Sequence, residues 1–430
     1  MNLTALLLAA VLTGTSDAPL EAGHEPYYAG LLEELRYGPE DRRDSARERL
    51  LASGESRALQ AFGVLTGRVP VSSTRGPLLD HTARELLFES LAAAGPSVLP
   101  RLAATFDEET PLQERLLLLN LVGRVGRAQD LTMIREVLAP LEPVQLAVKA
   151  VGDAVQAAVL GLLERDPATN QRLIVDQAEW DPRLLPAVAR ALGEFGRGDG
   201  MKVLERMFGQ TLELDEAVLE ALGCVRAWET ACLSGECSRT LSQYMTGGEP
   251  RLRRQAFLSL GKVRERTVFP DVVAALEDDD PRVQGAAAWA LQEISGLTRG
   301  HSADWNEWYR AEEAWYEGRA QELLDEVRDE DASAAVRALE ELSAHRIYAR
   351  ELIMDLAPDL EHADPKISEA VCWAMVRLGH ASAVEPLLRA ATDAHRTPTP
   401  GVLEALSRLT GESFATREEW RAWAARSVGT

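Results

Sequence analysis

The sequence is poor in cysteine, in positive charge and in long apolar runs, and each shortage excludes a class of protein. Only 4 of the 430 residues are cysteine, and 46 Lys and Arg face 68 Asp and Glu, which leaves a net charge of −22. Such a chain repels a phosphate backbone or an anionic bilayer, so neither nucleic acid nor a membrane surface is a predicted partner. Beyond the first dozen residues, no segment approaches the roughly 18 apolar residues of a membrane-spanning helix, which excludes an integral membrane protein.

The four cysteines and seven histidines do not form a metal-binding pattern. Zinc needs about four closely spaced ligands, yet no histidine lies between His81 and His301, where three of the cysteines fall. We therefore predict neither a metal nor a cofactor. Cys232 and Cys237 enclose four residues and suit a small disulfide loop in an oxidising compartment. The other two cysteines lie in apolar helical patterns, which predicts buried thiols.

The N-terminus carries the pattern of an export signal. Residues Leu3–Leu12 form an apolar run, no charged residue precedes Asp17, and Ser16 and Ala18 supply a small-x-small cleavage site. We predict a signal peptide over residues 1–18 and a secreted or periplasmic protein. The alternative is an N-terminal helix of a cytoplasmic protein, because the run is not preceded by Lys or Arg.

The chain repeats one helical code. Two segments match at an offset of 31 residues, one from Pro250 and one from Pro281, and in both the apolar residues recur at steps of 4, 4 and 3. The positions are Leu252, Ala256, Leu260 and Val263, then Val283, Ala287, Leu291 and Ile294. These steps are typical of one helix face, not of a strand. Similar patterns occupy 184–195, 214–225 and 367–378, with looser copies over 83–94 and 116–125.

The residue types at the two ends of these segments also indicate helices. Three of them begin with Asp-Pro, at Asp181, Asp280 and Asp364, which places an N-cap carboxylate before a proline at the first helical position. Glycines such as Gly261 and Gly379 stand near the far ends and are predicted to form tight turns. A second apolar stretch follows each segment. Helix pairs at this period predict an all-α fold, an α-solenoid in which neighbouring pairs stack into a superhelical array.

The pattern D-P-R-V-x-x-A-A-x-A-L over Asp280–Leu291 resembles bacterial HEAT repeats. The resemblance covers residues 181–295 and 364–430 well and 44–165 loosely. It implies a solenoid of HEAT-like helix pairs and, because such arrays mostly serve as binding scaffolds, it implies interaction with another protein more than catalysis.

A longer repeat has an offset of 115 residues. The pattern A-L-x-x-[Ile/Leu]-[Ser/Thr]-Gly-x8-Trp-x-x-Trp occurs twice and ends in Trp305 and Trp308, then in Trp420 and Trp423. It resembles the terminal module of planctomycete-type HEAT proteins. Two tryptophans three residues apart share a helix face, so each pair is predicted to cap an array. The predicted organisation is a signal peptide (1–18), N-terminal repeats (19–240), regular repeats closed by the first Trp-x-x-Trp helix (241–318), and a second array closed by the other (319–430).

Four cations occupy one position of the helical code. Arg183, Arg251, Arg282 and Lys366 all follow the proline that starts a helix. A cation there opposes the helix dipole, so its recurrence requires compensation. One interpretation is a ladder of salt bridges to neighbouring caps. The other is a basic stripe that binds an acidic peptide.

Two classes of function are compatible with these patterns. The first is a non-enzymatic scaffold or adaptor that binds a protein or peptide partner outside the cytoplasm. The alternative is a HEAT-type enzyme or enzyme accessory, similar to a lyase, whose site would gather acids, histidines and tryptophans from several repeats into one deep pocket. We predict the scaffold.

Overall fold

The computed structural model describes residues 27–166, 168–197, 200–225, 236–329, 331–393 and 397–427. Within these ranges every regular element is a helix and no strand occurs, so the predicted all-α solenoid of helix pairs is confirmed. The chain divides into two compact units, with the boundary between Phe195 and Gly196. The predicted signal peptide and Cys232 lie outside the described residues, so both the cleavage and the disulfide stay predictions.

The first unit contains eleven α-helices among its described residues. They are α1 Tyr27–Tyr37, α2 Glu40–Leu51, α3 Ala58–Thr66, α4 His81–Ala93, α5 Leu99–Ala103, α6 Leu112–Val125, α7 Leu131–Leu138, α8 Pro143–Leu146, α9 Lys149–Arg165, α10 Ala168–Asp176 and α11 Leu185–Phe195. Short 3-10 turns join several of them, over Glu55–Arg57, Pro96–Val98, Ala128–Asp130 and Gln177–Glu179. Helices α6, α9 and α11 stack side by side.

The second unit continues the same pattern through its described residues. Its α-helices are α12 Met201–Met207, α13 Leu212–Leu222, α14 Glu236–Ser242, α15 Pro250–Val263, α16 Phe269–Ala274, α17 Pro281–Ser295, α18 Ser302–Trp315, α19 Gln321–Val327, α20 Ala332–Leu342, α21 Ala349–Leu356, α22 Pro365–Leu378, α23 Val384–Thr392, α24 Pro400–Thr410 and α25 Arg417–Ser427. The 3-10 turns span Arg266–Val268, Ala275–Glu277, Arg346–Tyr348, Ala357–Glu361 and Ala381–Ala383, and a π-helical turn spans Tyr316–Ala320.

The Asp-Pro signals start helices as predicted in this unit. The carboxylate of Asp280 accepts a hydrogen bond from the backbone N–H of Arg282 at 2.8 Å, and Asp364 accepts one from Lys366 at 2.8 Å. Each bond satisfies a backbone donor that has no partner inside its helix. Glu249 stands at the same place before α15 and makes no side-chain cap.

Most of the repeated apolar positions lie in the core, although Leu252 and Val263 at the two ends of α15 are only half-buried. Helices α15 and α17 pack directly against each other. Ala256 and Leu260 of α15 and Leu291 of α17 are fully buried. Gly261 permits the approach: a methyl group on it would lie 2.9 Å from the Cα atom of Ala290. This glycine therefore serves helix contact and not the turn that the sequence predicts, whereas Gly379 does end its helix, with φ +62°.

Helix boundaries in the second unit follow the 115-residue offset. Helices α15 and α22, whose first residues are Pro250 and Pro365, start 115 residues apart, and α18 and α25 do the same. The residue that ends the first helix of each copy, Arg264 or Gly379, has a left-handed backbone conformation. The segment from α15 to α18 and the segment from α22 to α25 are thus structural copies.

The first tryptophan of each copy is fully buried, whereas the second is half-buried in the first copy (Trp308) and buried in the other (Trp423). Trp305 and Trp420 are 1% and 0% exposed, and their rings lie edge to face with Trp308 at 5.7 Å and Trp423 at 5.5 Å. Helix α18 does not end at the first pair, because the chain stays helical through the π-helical turn into α19, which packs on α20. The capping role of the tryptophan pairs and the boundaries at 240 and 318 stay predictions.

Candidate functional site

A cavity of about 400 Å³ opens where the turns between paired helices meet in the second unit. Three turns line it: the turn from α15 to α16, the turn from α20 to α21, and the turn from α22 to α23. Four arginines line its wall: Arg264 and Arg266 come from the first of these turns, Arg346 from the second, and Arg350 from the first turn of helix α21. Such a concentration of cations stands out in a chain whose net charge is −22.

Arg264 and Arg346 meet at the end of helix α22. The Nη1 atom of Arg264 donates a hydrogen bond to the carbonyl oxygen of Gly379 at 2.7 Å. A methyl group on Gly379 would lie 3.5 Å from that Nη1 atom and 3.6 Å from Nη2 of Arg346. Both guanidinium groups therefore face the C-terminal end of α22, where the helix dipole favours positive charge.

The two arginines lack a close carboxylate partner. Burial, followed by repulsion from Arg346, lowers the pKa of Arg264. The contact of Arg264 with Glu293 is 4.0 Å long. The Nε atom of Arg346 is buried and has no hydrogen-bond partner. Two like charges held together in a cleft form a ready receptor for an anion.

Arg266 forms a close ion pair inside the cavity. Its Nε and Nη2 atoms donate to one oxygen of Glu351 at 3.1 and 2.9 Å, and its guanidinium lies 4.7 Å from the ring centre of Tyr348. Tyr348 stacks on Tyr316 at 4.0 Å, and burial raises the pKa of Tyr348 to about 12. Tyr316 begins the π-helical turn, a distortion that is frequent at functional sites.

Glu265 and His380, two other polar groups of the cavity, have structural partners. Glu265 accepts hydrogen bonds from the backbone N–H and the hydroxyl of Thr267 at 3.0 and 2.7 Å. His380 accepts from the backbone N–H of Ser382 at 3.1 Å. Burial, then the nearby Arg350, lowers the pKa of His380 to about 4, so its imidazole is neutral at pH 7. The cavity thus gathers acids and a histidine from several repeats; Glu265 and His380 hold turns in place, whereas burial raises the pKa of Asp355.

Arg264 also lines a second, shallower cavity of about 290 Å³ on its other side. Lys262, Trp289 and Glu293 line that cavity together with His380. Lys262 donates to the sulfur of Cys224 at 3.4 Å. Cys224 is exposed, contrary to the predicted burial, because it follows the end of α13, whereas Cys372 is buried as predicted.

The four cations of the predicted basic stripe are all exposed, and three of them form ion pairs. Arg183 binds Asp181 through two hydrogen bonds of 2.7 and 2.8 Å, and Arg282 binds its helix cap Asp280 in the same way at 2.8 and 3.2 Å. The predicted helix start at Asp181 is wrong, because residues 182–184 form a turn and α11 begins at Leu185. Arg251 pairs with Glu216 of helix α13. These pairs supply the compensation that the helix dipole requires; binding of a peptide by the stripe stays a prediction.

The arginine-lined cavity could not be predicted from the sequence. Its lining residues extend from Ser238 to His380 and follow no motif. One signal was available, because the 115-residue repeat aligns Arg264 with Gly379 at a helix end where glycine is preferred. Among the residues that the structure describes, Arg264 is the only non-glycine residue with positive φ, at 52°. A residue held in a disfavoured conformation points to a functional constraint.

Comparison with solved structures finds distant helical proteins. An engineered protein is 15% identical, with 90% of this chain and 98% of that one covered and a TM-score of 0.32. Human deoxyhypusine hydroxylase, solved in complex with glycerol, is 14% identical, with 74% and 97% covered and a TM-score of 0.22. Neither likeness bears on function at these scores. No curated protein matches the chain.

Comparison with family models gives one match inside the second unit. The model described as HEAT repeats matches residues 238–303, which run from α14 into the start of α18 and supply Arg264 and Arg266 to the cavity. In the described part of the chain, no helix has both the length and the apolar character needed to cross a membrane. Residues 238–303 are thus the segment that matches the HEAT-repeat pattern.

Proposed function

We propose that this protein is a non-enzymatic HEAT-repeat scaffold that binds a protein partner through the cavity of its second unit. One observation supports it above the others: four arginines from two turns and the start of helix α21 line one concave surface of a strongly anionic chain. Concave sites with a few converging polar groups are where ligands bind in most proteins. Guanidinium groups suit partner surfaces that carry acidic groups.

The state of the cavity's acids favours binding over catalysis. A catalytic acid or base needs a free site at which to exchange a proton with substrate. Here Glu351 is engaged by Arg266, Glu265 by Thr267, and His380 by Ser382. The alternative, an enzyme or enzyme accessory similar to a lyase, draws on Asp355, whose pKa is raised by burial at the cavity wall. Turnover that is lost in Asp355→Asn would support that alternative.

The proposal places the protein outside the cytoplasm. Its support is the apolar run Leu3–Leu12 with small residues at positions 16 and 18. N-terminal sequencing of the protein recovered from outside the cell membrane should give a chain that begins near residue 19. A retained Met1 would contradict the leader and leave a cytoplasmic scaffold.

The test of the scaffold is capture of a partner by the full chain, followed by hydrogen exchange on the complex. We expect slowed exchange over residues 263–267, 346–351 and 378–382. The double variant Arg264→Glu with Arg346→Glu should lose the partner.

The matched control is Arg389→Glu with Arg408→Glu, which changes the charge equally at two exposed arginines outside the cavity. This control should retain the partner. Protection at a different surface, or equal loss in both double variants, would contradict the proposed binding site.

A further inference from the structure

The cavity holds a buried donor without an acceptor. The Nε atom of Arg346 is inaccessible to solvent and has no hydrogen-bond partner, while its Nη atoms lie against the terminal glycines of two helices. A methyl group on Gly296 would lie 2.7 Å from Nη1. Because buried polar groups are almost always paired, Arg346 is incompletely satisfied by its surroundings. The Nε atom itself is closed to a ligand, so the Nη atoms are the part of this side chain that could donate to one.

The arginines of the cavity differ in their carboxylate partners. Arg266 is bound to Glu351, whereas the carboxylate paired with Arg264, Glu293, lies 4.0 Å away and outside the wall of this cavity. Arg346 forms no ion pair with any residue that the structure describes. The side that Arg264 and Arg346 form at the end of α22 is therefore the part of the cavity best suited to an anion.

We propose that this side of the cavity binds one carboxylate group of an extended segment of a partner protein, with Arg264 and Arg346 as its ligands. The inference rests on the proposed protein-binding function and names the chemistry of its contact. A carboxylate carries one negative charge and offers two oxygens to the two guanidinium groups. A phosphate monoester, which carries about −1.5 to −2 at pH 7, would bring excess negative charge beside Glu351 and Asp355.

The shape of the cavity fits a segment that continues beyond its carboxylate. Apolar side chains line the wall next to the arginines, among them Ile294, Leu378 and Met354. Met354 is 63% exposed, and Tyr316 presents its stacked ring at the same wall. A guanidinium group can bind both oxygens of a planar carboxylate, so the arginines fix the orientation of the partner's carboxylate. The apolar wall covers the neighbouring atoms of the partner's segment.

The carboxylate has two sources, an Asp or Glu side chain or the C-terminus of the partner, and defined probes distinguish them. N-acetyl-glutamate N-methylamide offers only the side chain, and N-acetyl-leucine offers only a terminal carboxylate. N-acetyl-glutamine N-methylamide is the neutral match, and inorganic phosphate is the competing anion. Binding is followed by the N–H resonances of the arginine Nε atoms in the full chain labelled with 15N-arginine.

We expect saturable shifts at Arg264 and Arg346 with at least one carboxylate probe, and no shift with the glutamine analogue. Phosphate should bind more weakly at equal ionic strength. Unmoved resonances with both carboxylate probes, or tighter binding of phosphate than of either, would overturn the carboxylate site.

Arg264→Gly separates binding from folding. The variant places glycine at a left-handed position, as Gly379 does in the other copy, so the backbone is relieved while the ligand is removed. We expect binding of the effective probe to weaken at least about tenfold, as loss of a charged hydrogen bond predicts. Arg389→Gln, outside the cavity, should bind as the wild type does.

The probe experiment tests the carboxylate site and the capture experiment tests the scaffold function, so one can fail while the other succeeds. If the probes bind and no partner is captured through the cavity, the scaffold function is wrong and the carboxylate site stands. If Arg264→Gly captures the partner as the wild type does and the probes fail, the carboxylate contact is wrong and the scaffold stands.

Discussion

The hydrogen bond from Arg264 Nη1 to the carbonyl oxygen of Gly379, 2.7 Å long, joins two residues that hold the same position in two copies of one repeat. Both end the first helix of their copy with positive φ, 52° in Arg264 and 62° in Gly379. An arginine in that conformation is less stable than a glycine by roughly 1 kcal/mol. At this position the first copy supplies the guanidinium group of Arg264 to the cavity, whereas the second copy supplies only the backbone carbonyl of Gly379.

Close packing between successive repeats predicts opposite effects for two glycines of adjacent helices. Gly261→Ala would force a methyl group to within 2.9 Å of Ala290, so we expect a loss of about 1–3 kcal/mol in the free energy of unfolding. Gly285→Ala meets nothing within 4 Å and should gain about 0.5–1 kcal/mol from helix propensity. Denaturant unfolding of the two variants measures both. Equal effects would contradict the packing of α15 on α17.

The buried tryptophans should dominate the stability of their modules. We expect Trp305→Ala and Trp420→Ala each to cost about 3–5 kcal/mol, because each removes a fully buried ring from the core. Trp373, which is 43% exposed, is the control, and its replacement by alanine should cost less than about 1 kcal/mol. A small effect at both buried sites would show that the rings do not hold the terminal helices in place.

His380 makes stability depend on pH in a defined window. Its pKa is about 4 in the folded chain, against an ordinary 6.5, through burial and then the charge of Arg350; Arg264, Glu351 and Glu265 also face it. Between these values the unfolded state binds the extra proton, so stability is full above about pH 6.5 and falls as the pH drops toward 4. His380→Asn keeps a cap acceptor and should flatten this part of the curve. Unfolding curves from pH 4 to 7.5 measure it, and an unchanged slope in the variant would contradict this role.

Charge reversal at the predicted basic stripe should leave partner binding unchanged. Arg282 is held by its own cap Asp280, and Arg251 by Glu216. We expect Arg251→Glu and Arg282→Glu, alone or together, to capture the partner as the wild type does. Such ion pairs at the surface contribute little to stability, so folding should also be preserved. A clear loss of capture would instead support the basic stripe, and not the cavity, as the surface that binds the partner.

What the sequence determines by itself is local. The spacing of apolar residues, the Asp-Pro caps and the offsets of 31 and 115 residues predict the helices, their buried faces and the two tryptophan pairs, because each depends on neighbours within a few helical turns. Only the tertiary structure brings Arg264 and Arg346 to Gly379, since their meeting depends on how tightly successive pairs pack and how the turns between them converge. The packing of successive pairs depends on contacts such as the one between Gly261 and Ala290. The spacing of apolar residues along the chain does not reveal such contacts.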